Sequence, residues 1–419
     1  MASPARPPAS FESPYAWARL AASLALMTLG GAGMYAVIVA LPALQSEFGV
    51  ARGEASLPFT ATMVGFGLGG VLMGKLTDRF GVVAPVVIGS ICLGAGFIAA
   101  GAAGSLWQFV LVQGVLIGFL GSSATFAPLV ADTSLWFTRR RGIAVAIVIS
   151  GNYLAGTIWP PVLQRLFDAF GWRASFIGVG LFVIATMLPL ASMLRRRPPA
   201  LDVAAEPAAA RATSMTASSS ERPLGLAPQA LVALLCVAGV ACCVAMSMPQ
   251  VHIVAYCGDL GYGTARGAEM LSMMLGFGIV SRLASGWICD RIGGLATLLA
   301  GSILQGLALL MFLPFNGLVS LYVISALFGL FQGGIVPSYA IIVREYFPPR
   351  VAGGLVGLVM MATLLGMALG GWLTGAIFDL TGSYRAAFLN GIAWNLLNLS
   401  IAGFLLMRAR WLRLAGSTA

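Results

Sequence analysis

The sequence predicts an all-α integral membrane protein, with twelve transmembrane helices arranged as two pseudo-symmetric six-helix bundles. Three observations carry that expectation. Charge is scarce: of 419 residues, 59% are hydrophobic and 9% charged, where a soluble domain carries about 25%. Mean hydropathy is +0.93, and apolar runs long enough to cross about 30 Å of hydrocarbon as a helix recur along the chain. The short period-2 strands of a membrane barrel are not visible. Finally, the second half of the chain repeats short motifs of the first at a constant offset.

The spans are expected at 20–44, 56–76, 82–103, 106–132, 142–165, 173–194, 228–257, 267–289, 294–314, 317–343, 352–378 and 384–407. The first is too long, and too poor in cleavage signals, for a signal peptide. With an even number of spans both termini share a side. Eighteen of the 24 basic residues fall on that side, five on the other, and one, Arg282, inside a span. Such an excess of basic residues marks the cytoplasmic side, so the pI near 9.8 reads as topology and lipid contact rather than nucleic-acid binding. The Pro-, Ala- and Ser-rich stretch 195–226 reads as a flexible cytoplasmic linker. The expected organisation is therefore a disordered tail (1–16), a six-helix bundle (17–194), the linker (195–226) and a second six-helix bundle (227–419).

The repeat is specific. "GKLTDRFG" from Gly74 matches "GWICDRIG" from Gly286 at an offset of 212. "IGFLGSS" from Ile117 and "FGLFQGG" from Phe328 are 211 apart, and "WFTRRRG" from Trp136 and "YFPPRVAG" from Tyr346 are 210 apart. The Gly-x-x-x-Asp-Arg-x-Gly loop after the second span of each half resembles the signature of the major facilitator superfamily. Its residues here are Gly74, Asp78, Arg79 and Gly81, then Gly286, Asp290, Arg291 and Gly293. Within that superfamily "WFTRRRGIAVAIVISGNYLAG", "PQVHIVAYCGDLGYG", "SRLASGWICDRIGG" and "DLTGSYRAAF" resemble the monocarboxylate porters. The resemblance implies a transporter of small organic acids. Asp78 should lie at a helix N-terminus, which favours an anion. Arg79 should pair with Asp132 at the end of the fourth span, as the resemblance also implies. With Asp290 and Arg291 these residues are expected to gate the cytoplasmic side; the plainer reading is a static packing element.

Arg282 lies nine residues inward of Arg291, roughly 13 Å along the helix and near the middle of the bilayer. A central arginine costs about 2.5–3.5 kcal/mol even on lenient insertion scales. Its own span offers no acid one turn earlier, where Gly278 stands. A guanidinium fork suits a carboxylate, and the resemblance implies that role, since an Arg in the eighth span holds the substrate carboxylate of the monocarboxylate porters. The chain departs from that pattern at Gly278, where animal members have Asp, and at Pro42, where many have Lys. Unlike the oxalate:formate antiporter it has no cation in the eleventh span, so a monoanion fits better than a dianion. His252 is a candidate substrate contact and proton carrier, or else a packing residue. Asn152 and Tyr153, at nearly the depth of Arg282, are candidate contacts, and Tyr35 and Gln332 weaker ones. Trp159 before Pro160 and Pro161 marks a kink in the fifth span.

Six cysteines without paired-ligand spacing and a single histidine exclude a multi-histidine metal site, and no cofactor is expected. The expected protein is a monomer in a bacterial inner membrane, with a small organic acid and optionally a proton as its partners. No nucleic-acid module is visible. An exporter of drugs or amphiphiles would keep the fold but leave Arg282 structural. A transporter-like sensor would bind without flux. An intramembrane enzyme lacks a nucleophile–base pair.

Overall fold

The computed structural model describes residues 12–137, 139–196 and 223–417. Among these, twelve helices are long and apolar enough to cross a membrane. The first six are α1 (Pro14–Phe48), α2 (Arg52–Phe80), α3 (Val83–Gly101), α4 (Leu106–Trp136), α5 (Gly142–Phe170) and α6 (Trp172–Ser192). The second six are α7 (Pro228–Asp259), α8 (Thr264–Ile292), α9 (Gly294–Met311), α10 (Leu318–Tyr346), α11 (Val351–Thr381) and α12 (Tyr384–Leu412). Each overlays one expected span. Trp107, Leu181, Leu307 and Val319 are more than half exposed on the outside of the molecule. In water such a surface would be an interaction patch; around a bundle of this composition it is the face met by lipid.

Within each half the long helices pack as neighbours. α2 lies against α4, α3 against α6, α7 against α11 and α12, and α8 against α10. The halves meet along α5 and α8, α2 and α11, and α1 and α7. The repeat extends to its irregularities. α4 widens to a π-helical winding over Gln113–Gly121 and tightens over Ser122–Thr125. α10 breaks at the aligned place, between Gln332 and Ile335. The irregular winding in both helices therefore falls on "IGFLGSS" and "FGLFQGG".

Two expected segments overlap the described residues at their edges. The tail expected over 1–16 is ordered from Glu12, whose carboxylate accepts the Arg139 and Arg140 amides at 2.9 and 2.8 Å. Ser13 caps α1 by accepting the Ala16 amide at 3.3 Å; residues 1–11 lie outside the described residues. Of the linker expected over 195–226, residues 197–222 also lie outside them. Its last residues dock on α12, because Arg408 donates to the carbonyls of Leu224 and Gly225 at 2.5 and 3.1 Å.

The expected partner of Asp132 is corrected. Asp132 on α4 accepts a two-pronged bond from Arg19 on α1, Nε to Oδ2 at 2.9 Å and Nη2 to Oδ1 at 2.7 Å. Both side chains are buried, and the guanidinium lies 4.7 Å over the Trp136 ring. Arg79 is exposed at the end of α2, against its neighbour Phe80. Arg19 prevails because it enters one turn inside α1 and faces α4 within the bundle. Removing one member of a buried pair strands the other charge. Asp132→Asn or Arg19→Ala is therefore expected to cost about 3–5 kcal/mol. Thermal unfolding in detergent would read this as a large drop in Tm. A loss no greater than that of an exposed pair, such as Arg266–Glu269, would assign Arg19–Asp132 no structural weight.

Candidate functional site

A cavity of about 230 Å³ lies between the halves. Arg282 on α8, Asn152 and Tyr153 on α5, and Tyr35 on α1 all line it. These are four of the six expected substrate residues. The Arg282 guanidinium sits 5.0 Å from the centre of the Tyr153 ring, close enough for a cation–π attraction. Gly278, one turn before Arg282, makes that contact possible: a Cβ there would come within 2.5 Å of a Tyr153 ring carbon. The ring thus lies where a side chain at 278 would project. Among the described residues no carboxylate is within ion-pair distance of Arg282.

The polar groups around it are oriented as donors. Tyr35 donates its hydroxyl proton to Asn152 Oδ1 at 3.1 Å. That leaves the Asn152 amide nitrogen for the cavity, where its nearest partner is Met34 Sδ at 3.9 Å, a weak acceptor. A guanidinium and an amide N–H, held by an aromatic ring and a phenol, form a wall that can receive a carboxylate.

The remaining two expected residues stand elsewhere. His252 is buried, with Nε2 2.8 Å from the Gly371 carbonyl oxygen and Nδ1 unpartnered. It lines a small void of about 10 Å³ with Thr374, Tyr256 and Tyr384. Helical register explains the miss. Cys243, Met246 and Gln250 face the cavity from α7 at spacings of three and four. Two residues beyond Gln250, about 200° around the helix, His252 faces away. Gln250, a polar residue in an apolar span, is the one that lines the cavity. Gln332 is fully buried at the end of the first segment of α10, and neither of its amide atoms has a partner. The break at Gly333 and Gly334 follows it, and Val336 in the next segment is the residue of α10 that reaches the cavity.

The face opposite the termini is closed by a charged cluster that the sequence reading did not assemble. Arg52, at the start of α2, forms a bidentate pair with Asp259 at the end of α7, the second contact at 3.3 Å. Its guanidinium also bonds the Tyr384 hydroxyl, which donates to Asp259 Oδ2 at 3.0 Å, and lies 4.5 Å over the Phe378 ring. Asp379 on α11 accepts the backbone amides of Arg52 and Gly53 at 2.8 and 2.6 Å, an anion held at a helix N-terminus. Gly53 and Gly375 let these backbones touch: a Cβ on Gly375 would meet Gly53 at 2.8 Å. The signal was present in the sequence, because Asp259, Asp379 and Tyr384 lie inside the quoted "PQVHIVAYCGDLGYG" and "DLTGSYRAAF". On the termini face, Asp78, Arg79, Asp290 and Arg291 are exposed. Among the described residues none of the four joins an ion pair; Arg291 rests 3.8 Å over its neighbour Trp287.

A larger hollow of about 690 Å³ between α1, α5 and α6 has no charged lining. Its rim residue Phe170 is 70% exposed, so it faces lipid rather than the space between the halves.

The chain is 29% identical to Monocarboxylate transporter 13 of Rattus norvegicus over 80% of its length and 74% of the relative's. It is 29% identical to Monocarboxylate transporter 11 of Mus musculus over 92% and 86%. Among solved structures, a bacterial homologue of the human lysosomal transporter Spinster, in an inward-facing and unoccupied conformation, superposes with a TM-score of 0.71. The identity there is 15%, covering 95% of this chain and 98% of that one. The family model described as Major Facilitator Superfamily matches residues 23–324 and 270–413. Twelve spans in two matching halves, the paired signature loops and this match together place the chain in the Major Facilitator Superfamily of membrane transporters.

Proposed function

We propose that this transporter carries a small organic acid anion, a monocarboxylate, by alternating access, with Arg282 holding the carboxylate. One observation carries the reading: a guanidinium without an acidic partner lines a cavity between the halves. An incoming carboxylate supplies the missing counter-charge, and Asn152 adds a second donor. An amphiphile exporter would have no use for that unpaired cation. The names of the two monocarboxylate transporters the chain resembles support the same substrate class.

The basic-residue bias assigns the termini to the cytoplasm, and the short loops suit a bacterial inner membrane. On that assignment the Arg52 cluster closes the outer face and the cavity belongs to an inward-facing state. In the opposite state Asp78, Arg79, Asp290 and Arg291 would close the cytoplasmic face. The protein would work as a monomer. A coupled proton finds no carboxylate or imidazole in the described cavity wall. His252 is its candidate carrier, lying beside Tyr256 and Tyr384.

Arg282→Lys keeps the charge but loses the fork, and Arg282→Ala loses both. Carboxylate affinity by titration calorimetry is expected to fall roughly ten- to hundredfold in the alanine variant and measurably in the lysine variant. Unchanged affinity in both would make Arg282 structural. Spin labels at Ala102→Cys and Phe315→Cys, on the outer face of the two halves, report closure. Adding Arg52→Ala should populate a longer separation; an unaltered distance distribution would deny the cluster a gating role. His252→Gln should leave carboxylate affinity within about twofold, because the side chain is outside the cavity. Proton-coupled flux would lose its pH dependence in that variant, and an unchanged profile would place the proton elsewhere.

A further inference from the structure

We infer that the preferred cargo is a monocarboxylate with an uncharged, ring-sized apolar body, rather than a short hydroxy or keto acid or an amino acid. The inference rests on the carboxylate reading of Arg282 and concerns the opposite wall of the same cavity. That wall comes from α2 and α11. α2 presents Phe59, Met63 and Phe66 at spacings of four and three, one helical face. α11 presents Met360, Leu364 and Met367 in the same way, with Thr363 as its one polar lining residue. Met34 and Met246 extend the apolar surface on α1 and α7.

The cavity is therefore two-sided. The polar groups of Tyr35, Asn152, Tyr153 and Arg282 stand on α1, α5 and α8, with Gln250 on α7, while thioethers and phenyl rings dominate α2 and α11. Methionine adapts its shape and makes favourable sulfur–aromatic contacts, so this wall fits a flat ring and gains little from a methyl group. A hydroxyl or second carboxylate pointed at it would lose its water and find only the Thr363 hydroxyl, which already donates to the Met360 carbonyl. An α-ammonium group would do the same, since no described lining residue is an acid. One cation and no anion in the lining match a net charge of minus one on the cargo.

A matched set of compounds tests each element with the purified wild-type protein: 3-phenylpropionate, propionate, phenylalanine and 3-phenylpropionamide, titrated in detergent. The expected result is 3-phenylpropionate binding at least about tenfold more tightly than each of the other three, since apolar groups of this size discriminate by tens to hundreds. Met63→Ala should weaken 3-phenylpropionate severalfold and leave propionate unchanged. Propionate binding as tightly as 3-phenylpropionate, or phenylalanine equalling it, would overturn this inference and leave the carboxylate reading intact. The amide equalling the acid, or neither acid binding, would overturn the carboxylate reading and this inference with it.

Discussion

Closure of the face opposite the termini rests on one guanidinium. Arg52 joins Asp259 and Tyr384 through its side chain, while its backbone amide, with that of Gly53, holds Asp379. Each of those partners lies in the other half of the chain, at an end of α7, α11 or α12. Asp259 and Asp379 are exposed, and the burial of Arg52 between them is tolerable because its charge is met by a bonded carboxylate. Everything else follows from that tether. With the halves joined there and along α5 and α8, where Ser272 bonds the Thr157 carbonyl, the central cavity and the exposed signature loops are left toward the termini.

The arginines of this protein divide by what neutralises them. Arg19, Arg52 and Arg173 each have a carboxylate of their own. Arg282 has the face of Tyr153 instead. An aromatic face stabilises a cation without cancelling its charge or occupying its donors. Gly278 is what admits the ring. The substitution of a hydrogen for a side chain at that position thus keeps the cation both tolerated and free, as the proposed binding of an anion that later leaves would require.

Much of the fold was legible because lipid imposes simple rules. Twelve apolar runs gave twelve helices, and the repeated motifs fell at matching places, including the irregular turns of α4 and α10. Arg282 stood out because charge is costly at its depth. What the sequence hid was register and partnership. Gln250 and His252 are equally unusual in a membrane helix, and only the angle around α7 decides which one reaches the cavity. Gln332 is turned out of play by a break immediately after it. Asp132 was expected to meet Arg79, and its pairing with Arg19 depends on a tertiary approach of α1 to α4 that no local pattern shows. The Arg52 cluster draws on residues more than 200 positions apart, so no local pattern announces it, although Asp259, Asp379 and Tyr384 sit inside the stretches that carried the family resemblance.

The Tyr153–Arg282 contact has a mechanical consequence. One partner belongs to each half, and both stand on α5 and α8, the line where the halves press together at mid-depth. For two rigid bodies rocking about such a line, displacement grows with distance from the fulcrum. If the halves rock as proposed, the Arg52 cluster lies at the end of the lever arm and would break and re-form in every cycle. The cation and its ring lie near the axis and travel least. On the proposed carboxylate reading, a cargo seated there would exchange one solvent opening for the other while its anchor scarcely moved.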